Sequence, residues 1–198
     1  MTGKTVENVA LFGTSADPPT VAHFAILQAL SRHYDRVLLW AADNPFKSDQ
    51  TPLYHRQEML KVLLNTTSPN LANVALRPEL SHRRSLVSVQ RAMELWPEAE
   101  MLLIVGSDIL PTLGDWYAID QLIKLVRFLI IPRPGAPIDS SLLENFQAQG
   151  GQIETANFVG LNVSSSDFRL RRTSGAVPNG ILDYVKRHGL YQTEGMNV

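Results

Sequence analysis

Two apolar runs in this chain stop on a glycine: Val6 to Phe12 before Gly13, and Met101 to Val105 before Gly106. Along the 198 residues such runs alternate with amphipathic segments. That alternation constrains the fold, because strands separated by helical crossovers assemble as a parallel sheet with helices on both faces. Val37 to Ala41 and Phe128 to Ile131 read as further strands, and Val74 to Leu76 as a weaker one. Helical spacing marks Val21 to Arg32, where Ala25, Ile26, Ala29 and Leu30 share a face. Leu53 to Leu64, Ser85 to Leu95, Trp116 to Leu125, Ser164 to Arg171 and Gly180 to His188 read as helices too, with Gly189 at a C-cap position. Arg133 to Gln152, with its prolines and glycines, reads as a loop or insertion. The expected fold is α/β, a doubly wound parallel sheet, in one domain over residues 1–198.

Composition narrows the partners. A net charge of −1 gives no general attraction for nucleic acid or acidic membranes, so anion binding has to be local. With no cysteine, the chain has no disulfide, thiolate nucleophile or thiolate zinc site. No apolar run approaches the roughly 20 residues that span a bilayer, and Met1 to Asn8 does not read as a signal peptide. The expectation is a cytoplasmic protein; a homo-oligomer is compatible with the sequence.

In doubly wound sheets ligands gather at the carboxyl ends of the strands, which directs attention to Gly13 and Gly106. After the first lies a small, hydroxyl-rich loop and then a helix, with Thr20 at the N-cap position and His23 one turn in. Backbone N–H groups around Gly13, Thr14 and Ser15 can hold an anion there. The segment is neither a Walker A loop nor a G-x-G-x-x-G fingerprint, and the alternative is an ordinary strand–helix turn with a histidine that satisfies a nearby carbonyl.

The ordered set of motifs says more. Gly13 to His23 resembles the nucleotidyltransferase signature Gly-Thr-Phe-Asp-Pro-x-(His/Thr)-x-Gly-His, with Asp17-Pro18, Thr20 and His23 in place. Gly106-Ser107-Asp108-x-Leu110, Trp116-Tyr117, Arg133-Pro134-Gly135, Val163-Ser164-Ser165-Ser166-x-x-Arg169 and Gly189-Leu190-Tyr191 follow in the family's order. Over nearly its whole length the chain is similar to the bacterial nicotinate-nucleotide adenylyltransferase family, which has a Rossmann-like nucleotidyltransferase fold.

That resemblance implies attack by a mononucleotide 5′-phosphate on the α-phosphorus of ATP, with release of pyrophosphate. His23 would stabilise the transition state and Thr20 would add a hydroxyl contact. Ser165, Ser166 and Arg169 would hold the β- and γ-phosphates; simple capping with a surface arginine is the alternative. Asp108 would reach a ribose hydroxyl or cap a short helix. Trp116 would stack on a pyridine ring or belong to the core. Lys47 would bind the mononucleotide phosphate or lie in solvent, and Arg133 would contact a phosphate or end its strand. His82, Arg83 and Arg84 form a basic run that would face a substrate or be a solvated turn. Mg²⁺ would arrive on ATP phosphates, with no protein metal site. The substrates implied are ATP and a pyridine mononucleotide, with no nucleic acid and no membrane.

Departures from the family pattern are local. Thr14-Ser15-Ala16 replaces Gly-Thr-Phe, Ala22 replaces the glycine before the histidine, and Ser85-Leu86-Val87 replaces Ser-Tyr-Thr. The competing readings are another acceptor, such as nicotinamide mononucleotide or pantetheine phosphate, and a non-catalytic nucleotide sensor on the same fold.

Overall fold

The structure is a computed structural model that describes residues 6–43, 49–67, 71–171 and 175–191. Six strands form one sheet: β1 (Asn8–Thr14), β2 (Arg36–Ala41), β3 (Val74–Leu76), β4 (Glu100–Gly106), β5 (Arg127–Ile131) and β6 (Gln152–Thr155). Their order is β3-β2-β1-β4-β5-β6, and every neighbouring pair is parallel. The helices are α1 (Val21–His33), α2 (Leu53–Thr67), α3 (Ser85–Leu95), α4 (Ile119–Leu125), α5 (Ser140–Ala148), α6 (Ser165–Arg171) and α7 (Asn179–Arg187).

Alternate residues of each strand feed opposite faces. Ala10 and Phe12 of β1, with Leu39 and Ile104, pack against Leu27 and Leu30 of α1, Met59 and Leu63 of α2, and Ile181 of α7. Val9 and Leu11, with Trp40 and Leu103, pack against Val89 of α3, Leu122 of α4 and Phe146 of α5. Burial on both faces explains why the central strands read as unbroken apolar runs rather than alternating ones.

The expected loop between Arg133 and Gln152 is a correction. It contains α5, and Gln152 opens the edge strand β6. Asp139 caps α5 by accepting the Ser141 N–H at 2.9 Å, and Phe146 packs edge-on to Phe128 at 4.9 Å between ring centroids. Of the glycines that suggested a loop, Gly135 precedes this helix, and Gly150 (φ +87°) and Gly151 lie at its end. The helix expected from Trp116 starts three residues later, because Ala118 sits in the left-handed region at φ +50°.

Gly13, inside β1, is needed for packing. A Cβ built there would lie 2.6 Å from the indole of Trp40, which is buried on the neighbouring strand. Gly114 has nothing within 4 Å of the same position. Urea unfolding should therefore show Gly13→Ala destabilised by about 1–3 kcal/mol through overpacking, with Gly114→Ala within about 0.5 kcal/mol of wild type.

Candidate active site

The connection after β1 leads to α1 on one face of the sheet, while the helix after β4, α4, lies on the other. These two strands are neighbours, so their carboxyl ends diverge into a crevice. Both segments singled out in the sequence open onto it.

His23 occupies the third position of α1 and reaches back to its N-cap, the place a glutamate or glutamine takes in a capping box. The Thr20 N–H donates to His23 Nδ1 at 3.0 Å. An amide can only donate, so Nδ1 is the lone-pair nitrogen and Nε2 carries the proton of the neutral ring. Thr20 Oγ1 lies 2.8 Å from Nδ1, while Nε2 lies 2.9 Å from Thr14 Oγ1. The sequence pointed to a Thr20 contact with phosphate; here Thr20 is 0% exposed and its hydroxyl lies against the histidine. The first N–H of α1, at Val21, goes to the Ala176 carbonyl, so it is not part of an anion site.

The loop after β1 is fastened from several directions. Arg56, 1% exposed, donates Nε–H to the Thr51 carbonyl at 2.8 Å and Nη1–H to the carbonyls of Ser15 at 3.0 Å and Ala42 at 2.6 Å. Burial pushes its pKa down, and the carboxylates of Asp17 and Asp43 oppose that shift. Ser165 donates to the Pro18 carbonyl at 2.7 Å. Arg169 donates Nη1–H to the Asp17 carbonyl, and its Nη2–H goes to Ser166 Oγ at 3.3 Å. Ser164 caps α6, accepting the Asp167 N–H at 3.0 Å. The structure thus brings Thr14, Ser15, Thr20, His23, Ser165, Ser166 and Arg169 around one loop.

Two residues of this assembly had no role in the sequence reading. Arg56 falls in the buried phase of α2 with Met59, Leu60 and Leu63. An arginine at that phase is a legible signal, because a buried guanidinium needs partners. Tyr191, from the terminal Gly-Leu-Tyr, donates to Asp17 Oδ1 at 2.6 Å.

On the β4 side, Asp108 and Arg133 face each other, Nη1 to Oδ2 at 3.1 Å, both partly exposed. Ser107, 1% exposed, accepts the Arg133 N–H at 2.9 Å and donates to the Ala136 carbonyl at 2.7 Å, pinning the turn. Trp116 is half-buried against the α3–α4 face, and exposed Tyr117 lies beside it. The Arg84 guanidinium stands 3.9 Å over the Tyr117 ring, so the basic turn is not simply solvated. Lys47 lies outside the described residues. Among the described residues no three His, Asp or Glu side chains gather as a metal site, and no helix is long and apolar enough to cross a membrane.

Comparison with known proteins identifies the family. The Cytidylyltransferase-like family model matches residues 11–171. A probable nicotinate-nucleotide adenylyltransferase of Synechocystis sp. is 40% identical, with 93% of this chain and 98% of that protein covered. The nicotinate-nucleotide adenylyltransferase of Bacillus subtilis is 24% identical over 95% of this chain and 100% of its own length. In fold, the chain superposes on the Plasmodium falciparum nicotinic acid mononucleotide adenylyltransferase complexed with NaAD, with a TM-score of 0.79 at 23% identity, covering 93% of this chain and 97% of that one. The chain therefore belongs to the nicotinate-nucleotide adenylyltransferase family, within the Cytidylyltransferase-like group.

Proposed function

We propose that the chain transfers the adenylyl group of ATP to nicotinate mononucleotide, giving deamido-NAD and pyrophosphate, in the cytoplasm. The observation that carries this reading is one loop holding both polar arms of the reaction. His23 joins it through Thr14, and Arg169 joins it through Asp17.

The attacking 5′-phosphate is mostly dianionic near neutrality and needs no strong base. The chain has to align two anions and stabilise the charge that develops between them. The His23 Nε2–H exchanges its Thr14 partner for an α-phosphate oxygen, while the Thr20 N–H keeps the ring in that tautomer. Arg169, Ser165 and Ser166 receive the departing pyrophosphate. Asp108 exchanges Arg133 for a ribose hydroxyl, and Arg133 is then released towards phosphate. Trp116 offers a face to the pyridine ring, and Lys47 binds the acceptor phosphate.

The carboxylates nearest these groups are already paired, Asp17 with Tyr191 and Asp108 with Arg133. Mg²⁺ would accordingly be held by ATP phosphates and water, supplying charge neutralisation.

The sequence named no cation to tell an acid from an amide on the acceptor ring; Arg84 fills that place. Ser81 ties the segment before α3 to the end of β2, donating to the Ala41 carbonyl at 2.7 Å. From there the Arg84 guanidinium reaches the Tyr117 ring, in the segment that follows β4. Among the described residues no carboxylate pairs with Arg84, whereas neighbouring Arg83 lies 3.9 Å from Asp43. A carboxylate on the acceptor ring is a fitting partner.

Pyrophosphate release from ATP with a panel of mononucleotides tests the reading. Wild type should turn over nicotinate mononucleotide, and His23→Ala should lose at least about a hundredfold in kcat. No turnover with any pyridine mononucleotide would reject the assignment and favour the nucleotide sensor. Arg84→Met keeps the apolar stem and removes the charge. It should lower the acid-to-amide ratio of kcat/KM at least about tenfold, the size of one charge-assisted bond. An unchanged ratio would remove Arg84 from acceptor selection.

A further inference from the structure

A buried carboxylate beside the arginine meant for pyrophosphate is a competitor for it. Asp17 is 3% exposed and belongs to the same loop as the phosphate-handling groups. In surroundings of low polarity its attraction for Arg169 is strong, and a closed, two-pronged ion pair would occupy the guanidinium. The structure keeps the two at the edge of ion-pair contact, short of a hydrogen bond. Tyr191 Oη–H donates to Asp17 Oδ1 at 2.6 Å, and the Thr51 N–H donates to Oδ2 at 3.2 Å. Arg169 Nη1 is left 3.9 Å from Oδ2, beyond hydrogen-bonding distance, and donates to the Asp17 main-chain carbonyl instead.

Several features put the phenol there. Helix α7 ends in a Schellman motif: the Gly189 N–H goes to the Lys186 carbonyl at 3.3 Å, and the Leu190 N–H to the Val185 carbonyl at 3.0 Å. Gly189, at φ +60°, turns the chain back toward the loop. Tyr191 itself has φ +59°, a left-handed conformation unfavourable for a bulky side chain. A strained residue of that kind is held by its surroundings. The ring stands edge-on to Phe168, 6.3 Å between centroids, and the hydroxyl reaches to 4.0 Å from Met59 Sδ. Phe168 directly precedes Arg169, so one helix turn carries both the wall for the phenol and the cation. Burial pushes the phenol's pKa up, so it stays a proton donor at neutral and mildly alkaline pH.

We propose that Tyr191 is a positioning residue that occupies the Asp17 carboxylate and so keeps the Arg169 guanidinium available to the polyphosphate. The proposal rests on the role given to Arg169 above. Removing the phenolic hydroxyl leaves a buried carboxylate oxygen without its donor. Arg169 is the mobile cation within reach, because Arg56 is committed to three carbonyls. The cation closes on Asp17 and is withdrawn from the ligand.

The test uses the full chain and Tyr191→Phe, which keeps the ring and its packing. Calorimetric binding of inorganic pyrophosphate should weaken at least about fivefold, and KM for ATP should rise by a similar factor, as expected when one charge-assisted contact is compromised. KM for nicotinate mononucleotide should not follow. Adding Asp17→Asn to Tyr191→Phe removes the competing charge and should restore pyrophosphate affinity, an outcome that a purely structural role for the hydroxyl does not produce. Affinity within about twofold of wild type in Tyr191→Phe would overturn the proposal, as would a loss that Asp17→Asn fails to recover. If wild type itself binds no pyrophosphate, the Arg169 assignment falls and the latch with it. If wild type binds and Tyr191→Phe binds equally, only the latch falls.

Discussion

Arg56 gathers three carbonyls that no backbone ladder satisfies: Ser15 after β1, Ala42 after β2, and Thr51 before α2. Each belongs to a segment leaving the carboxyl edge of the sheet, where strands end and chains must turn. Buried carbonyls in such turns are costly unless a donor reaches them. One guanidinium with fixed, forked N–H groups serves all three, as a lysine's single ammonium could not. The loop that presents Thr14 and Ser15 therefore has its shape set from beneath by α2. The residues above it act on a platform that is already rigid.

On that platform the polar groups are paired with one another rather than left waiting. His23 Nε2 is matched by Thr14, Arg133 by Asp108, and Arg169 by Ser166 and a main-chain carbonyl. A ligand oxygen entering the crevice exchanges one hydrogen bond for another, so its binding does not require ordering floppy side chains. The exchange is one-sided at His23. Its Nδ1 is fixed by an amide N–H, so only Nε2 turns toward the ligand, always as a donor when the ring is neutral. Both Thr20 contacts to the ring are made at Nδ1.

The sheet was legible because its strands are buried on both faces and so read as apolar runs ending at Gly13, Gly106 and Pro132. The loop and Ser165–Arg169 were legible because capping and anion binding demand hydroxyls, arginine and histidine at fixed offsets. What escaped notice has a physical reason in each case. Helix α5 hid behind flanking glycine and proline, although Asp139 and the spacing of Leu142, Leu143 and Phe146 announce it. Strand β6 is an exposed edge with only Ile153 turned inward, too short for a pattern. Arg56 sat in the apolar stripe of α2, and its carbonyl partners lie in three separate segments. Arg84 was read with its neighbours, His82 and Arg83; its partner Tyr117 lies beyond β4 in the chain and cannot be seen from local sequence. Gly13 was read as a strand end with backbone N–H groups for an anion, whereas the close approach of Trp40 calls for glycine there.

Distance along the chain separates what sequence pattern reveals from what packing alone creates. The contacts from Ser165, Arg169 and Tyr191 to the first loop span 147, 152 and 174 residues. Closing loops of that length costs entropy that grows slowly with length but is recovered only when the last helices dock. Here docking is driven by Phe168, Ile181, Tyr184 and Val185 burying against the α1–α2 face. The apolar side of α6 and α7 thus fixes where the loop meets its cation. A buried phenylalanine and a charged arginine stand next to each other on α6 for that reason: the first sets the depth at which the second meets the phosphate loop. Site and core are one structure: the packing of α7 sets where Tyr191 meets Asp17 in the first loop.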